Sequence, residues 1–203
     1  MKKKFKNAKY TLGYEIHKNP FKAISAGMRF FGVETFKEFT TDIFLFSTQK
    51  EIYSKESVPN IIDLSECIKD FIFIGYHICD RKYKKTNYRI TDPELLKVKL
   101  TSKTSWIIRW AERTQMLDIA SCQNPYVVFD QIFEKWRPEQ LYEHFKNALY
   151  TATTTYEGDE IFEFNFLDVY ISIISLIEAC YLIFSFEIYP INNHLGLKPL
   201  PQN

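Results

Sequence analysis

Proline and its neighbours place the strongest constraint on how this chain folds. Proline lacks a backbone N–H and holds φ near the helical value. It therefore fits the first helical turn, where that N–H would have no partner, and an Asn or Asp ahead of it can cap the helix. The pattern recurs at Asn19-Pro20, Pro59-Asn60, Asp92-Pro93 followed by Glu94, Asn124-Pro125, and Pro138 followed by Glu139. An apolar or amphipathic run follows each, so five or more helices are predicted. Six glycines and eight prolines in 203 residues are too few for an all-β fold, which needs a turn about every ten residues. The expected fold is all-α, a single helical bundle of about five to seven helices over 1–190, with an irregular tail over 191–203.

Hydrophobic spacing places the elements. Phe21 to Val33 sets Ile24, Met28 and Phe31 on one face, and Phe36, Phe39, Ile43 and Phe46 continue at helical intervals. Residues 49–58 are polar and read as a connection. Asn60 to Ile78 starts amphipathic and becomes wholly apolar at Phe71–Ile74, which suits a buried helix or a short strand, with length favouring the helix. Asp92 to Asp118 reads as a long helix with Leu96, Leu100, Ile107, Trp110 and Leu117 on one side. Two shorter helices follow at Asp130 to Trp136 and Pro138 to Thr151, then a threonine-rich loop over 151–160. The segment 164–188 is nearly all apolar from Val169 to Phe186, interrupted by Glu178. It fits a buried helix first, a pair of buried strands second and a membrane span third, since a mid-segment carboxylate is costly in lipid.

Composition bounds the rest. Apolar residues make up 46% and aromatics 17%, enough to build a core and to exclude disorder over most of the length. A net charge of +1 gives no global attraction to nucleic acid or membrane. Positive charge is local: five lysines in the first ten residues, and five basic residues within Arg81–Arg89. Cys67, Cys79, Cys122 and Cys180 are scattered without a CxxC pair, and only His77 near Cys79 approaches ligand spacing. Reduced core thiols of a cytoplasmic protein are expected, with no metal. No apolar stretch follows the opening lysines, so no secretory leader is expected.

Signatures of phosphate cradles, dinucleotide folds, zinc proteases, serine hydrolases and di-iron bundles are missing, and no cofactor is implied. One pair stands out: Arg137 and His144 bracket RPEQLYEH at the start of a predicted helix. The Arg-x6-His spacing resembles the motif of HEPN-domain ribonucleases, small helical bundles that act as dimers. Pro138 stands where that family usually carries a polar residue. The resemblance implies metal-independent attack of an RNA 2′-hydroxyl on the adjacent phosphate, with His144 transferring a proton and Arg137 stabilising phosphorane charge. The setting it implies is bacterial defence or a toxin–antitoxin pair.

Other residues carry two readings each. Arg81, Lys82, Tyr83, Lys84, Lys85 and Arg89, with Tyr88, have the composition of an RNA-contacting loop and equally of a solvated connection. Trp106, Trp110 and Trp136 could anchor a partner or pack in the core. His77 reads as a core histidine. Glu178 needs a basic partner from another helix or subunit, or a polar cavity. Three functions result: a non-enzymatic helical module binding a protein or ribonucleoprotein, or forming a homo-oligomer; a HEPN-like ribonuclease; and a membrane-associated oligomer through 164–188. The first predicts an exposed aromatic or apolar patch of at least several hundred Å2 and no convergent polar pocket.

Overall fold

Asn19 accepts a hydrogen bond from the Lys22 amide through its side chain, and Pro20 opens the first helix, as the proline rule requires. A computed structural model describes residues 19–49, 51–80, 115–154 and 165–185. Over these the chain forms seven helices and no strand. They are α1 (Pro20–Phe30), α2 (Gly32–Phe46), α3 (Val58–Asp80), α4 (Ile119–Gln123), α5 (Tyr126–Lys135), α6 (Pro138–Thr153) and α7 (Phe166–Ile183).

The boundaries depart from expectation where a backbone detail overrides the apolar pattern. The run Phe21 to Val33 is broken, because Gly32 takes a left-handed φ of 81° and restarts the chain as α2. Asp118 does not end a long helix. It stands in extended backbone and caps α4 through its side chain to the Ser121 amide, at 2.7 Å. The helix expected from Asp130 begins at Tyr126, directly after Pro125, and Trp136 is already extended. The basic stretch Arg81–Arg89, most of the helix expected from Asp92 with Trp106 and Trp110, and the tail 191–203 lie outside the described residues.

Of the three readings of 164–188, the strand pair gives way to one helix over the described residues, α7. Every residue from Leu176 to Ile183 is buried, and α7 packs against each of the other six helices. A helix apolar all round belongs at the centre of a bundle. Its length and composition would also suffice to cross a membrane, but 72% of it is buried by its neighbours.

Aromatic rings bind the layers around this axis. Phe36 of α2 meets Phe71 of α3 edge to face at 5.0 Å, and Gly27 of α1 lets that Phe71 ring approach the α1 backbone. One continuous core takes residues from α1 to α7. The 51–57 connection is tied in where the Tyr53 amide donates to the Ala152 carbonyl of α6, at 2.7 Å. That bond brings Tyr53 onto Phe39 and Phe46 of α2, at ring distances of 6.0 and 5.5 Å.

Candidate functional site

Four-residue spacing puts Glu34, Glu38 and Asp42 on one side of α2. With Tyr53, Lys55 and Glu56 of the connection and Gln115 of the segment before α4, they line a groove of about 850 Å3. Phe39 and Tyr53 form its floor, 2% and 4% exposed. Among the described lining residues, four carboxylates face two ammonium groups.

Both ammonium groups are engaged. Lys55 donates to Asp42 at 2.8 Å, and its nitrogen lies 5.5 Å from the centre of the Phe46 ring. Lys37 donates to Glu178 of α7, at 2.5 Å. Glu178 has no exposed surface, and its two oxygens also accept the backbone amides of Gln115 and Met116, both at 2.9 Å. A buried carboxylate is tolerated when its acceptor sites are filled and a cation faces it. Glu178 thus fixes both the α2 wall and the 115–116 wall of the groove to the central helix. Thr41 adds a side-chain hydrogen bond to the Tyr170 hydroxyl of α7, at 3.1 Å.

Tyr53 is the least ordinary member. Its ring is buried, yet its hydroxyl has no hydrogen-bond partner among the described residues. Burial pushes its pKa up to about 12, and the Asp42 and Glu56 carboxylates push in the same direction. Both acids line the groove, so the hydroxyl faces that space and keeps its proton at any physiological pH.

The residues singled out from sequence fall elsewhere. Arg137 is the exposed N-cap residue of α6, with no side-chain ion pair among the described residues. His144 lies seven positions on, about two turns or 10 Å along the axis, on the same side of α6. The two side chains do not meet within the chain. His144 is half-buried and sets its ring edge to face with Trp136, at 5.3 Å. Burial holds its pKa below the usual histidine value, against a weaker opposing pull from Glu143. Trp136 is half-buried at the end of α5 and donates to the Ser172 hydroxyl at 3.2 Å, so it joins α5 to α7. His77 is half-buried on the last turns of α3, and the Cys79 thiol donates to Asp130 at 3.3 Å. The four cysteines are free thiols. Among the described residues no group of three or more His, Cys, Asp or Glu is placed to hold a metal ion.

The groove was not foreseen. The interaction-module reading called for no convergent polar pocket, and the groove departs from that by setting a charged rim over an aromatic floor. Two signals pointed to it: the acidic stripe at 34, 38 and 42, and a tyrosine standing in a polar connection.

Comparison with known protein families, characterised proteins and solved structures finds no match for this chain.

Proposed function

We propose that this protein is a non-enzymatic helical interaction module that binds a protein partner along the acidic groove of α2. The observation that carries this reading is an acidic rim over an aromatic floor, with α2 tied to the central helix through Lys37 and Glu178 and Tyr53 tied to α6 through its amide. A surface fixed before binding loses little conformational freedom on association. Acidic rims steer a complementary partner and set register, while buried aromatic contacts supply affinity.

The test is a site-specific photocrosslinker at Thr41, introduced into the chain in its native host. A discrete protein adduct is expected, and Glu38→Arg should abolish it while leaving the fold intact by circular dichroism. No adduct at Thr41, or an adduct indifferent to Glu38→Arg, would refute the reading.

A second reading is the HEPN-like ribonuclease. It is favoured by Arg137, which stands exposed at the start of α6 on the side that carries His144, whose pKa burial holds below the usual histidine value. In a symmetric dimer this face would supply two such pairs. Incubation with labelled single-stranded RNA in EDTA tests it: cleavage lost in His144→Ala supports the ribonuclease, and intact RNA with folded wild type removes it.

A further inference from the structure

The groove has the chemistry of a site for one kind of group. Among the described lining residues carboxylates outnumber ammonium groups, and Lys37 is turned inward to Glu178. An acidic stripe on a helix is commonly no more than a solvated face. Here a second feature stands beside it: Tyr53, 4% exposed, whose hydroxyl has no hydrogen bond to another described residue and lies in the field of the Asp42 and Glu56 carboxylates. The Tyr53 hydroxyl is the solvent-touching tip of a buried side chain, so a ligand that supplies an N–H can replace the water that meets it. The floor of Phe39 and Tyr53 is aromatic and nearly closed, an apolar base beneath the carboxylates. Lys55 already demonstrates the preference for a cation, since its ammonium group rests between Asp42 and the Phe46 ring.

We infer that the groove seats an arginine or lysine side chain of a protein partner, with its cationic head on the Tyr53 hydroxyl and flanked by Glu38, Asp42 and Glu56. This rests on the protein-binding reading above and names the partner's chemistry. The tyrosine keeps its proton here, so its oxygen can accept from the incoming N–H while its O–H turns to a carboxylate. The carboxylates supply charge-assisted hydrogen bonds, the stronger class. A nucleic acid is disfavoured at this surface because its phosphates meet like charge.

The probe is a fluorescein-labelled (Arg-Gly)3 peptide, followed by anisotropy against the full chain. Its citrulline counterpart keeps the shape and removes the charge. The arginine peptide should bind at least about tenfold more tightly than the citrulline one, and more weakly at high salt. Tyr53→Phe should weaken it about fivefold, the size of one neutral hydrogen bond. Glu38→Gln with Glu56→Gln should weaken it about tenfold or more. Glu143→Gln, on the exposed side of α6, should leave it unchanged. Thermal melts of each variant verify folding.

Equal binding of the arginine and citrulline peptides would overturn the inference. So would a loss in Glu143→Gln as large as in the groove variants, or binding of oligouridine RNA weakened by those same variants. If the arginine peptide fails while the Thr41 crosslink stays sensitive to Glu38→Arg, this inference falls and the protein-binding reading stands. If the crosslink itself is absent, the broader reading falls.

Discussion

Glu178 of α7 and Lys37 of α2 form an ion pair whose acidic member has no solvent-exposed surface. The same carboxylate accepts the amides of Gln115 and Met116. Removing one member of a buried pair strands the other, which costs more than replacing both with apolar groups. Lys37→Met is therefore expected to cost about 3 kcal/mol in urea unfolding. The double variant Lys37→Met with Glu178→Leu should cost less than Lys37→Met alone. Glu178→Gln should speed amide hydrogen exchange at Gln115 and Met116, because only one carbonyl oxygen remains for them.

Two glycines are required for different physical reasons. A Cβ on Gly27 would lie 2.8 Å from the Phe71 ring. That ring is buried and held by Phe36, so it has nowhere to go. Gly27→Ala should cost about 1–3 kcal/mol by overpacking. Gly32 has open space around it but a φ of +81°, so Gly32→Ala should cost about 1–2 kcal/mol through backbone strain. A compensating Phe71→Leu should rescue part of the Gly27→Ala loss and none of the Gly32→Ala loss.

Much of this architecture was legible in the sequence. The starts at Pro20 and Pro138 are where a proline with a solved N–H problem must sit, and the apolar run of 164–188 put a buried helix first among three readings. The break at Gly32 was hidden because Phe31 and Val33 continue the apolar rhythm across it. Asp118 misled because an acid can equally trail one helix or cap the next, and only the backbone decides. Glu178 could be recognised as needing a cation, but not that Lys37, 141 positions away, supplies it. The groove was illegible for the same reason. Its acidic stripe acquires meaning only when the polar 51–57 connection folds back and delivers Tyr53.

Asp70 gives a pH signature of its own. Burial, reinforced by the Glu66 carboxylate and opposed by Lys69, pushes its pKa up to about 6 from an ordinary value of 3.8. The folded state then binds more protons than the unfolded state between about pH 4 and pH 6. Stability from this group is greatest below that window and declines as pH rises through it. Asp70→Asn should raise Tm at pH 7, leave it nearly unchanged below pH 4, and flatten the profile between.

His144 acts with the opposite sign. Its burial favours the neutral ring and holds the folded pKa below 6.5. The stability it contributes is complete above pH 6.5 and is lost as pH falls from there toward the folded value. His144→Gln should remove this acid-side loss. A two-dimensional NMR titration of the imidazole should give a pKa below that of a free histidine, and Trp136 fluorescence should report the ring's departure.

Chemical-shift mapping by NMR tests the central claim most directly. The 15N-labelled chain is titrated with unlabelled (Arg-Gly)3 peptide, in wild type and in Tyr53→Phe. The predicted result is a contiguous set of perturbed amides over 34–42, 51–56 and 115–116, much reduced in Tyr53→Phe. Perturbations centred on the start of α6, around Arg137 and His144, or spread over the surface without preference for the groove, would contradict it.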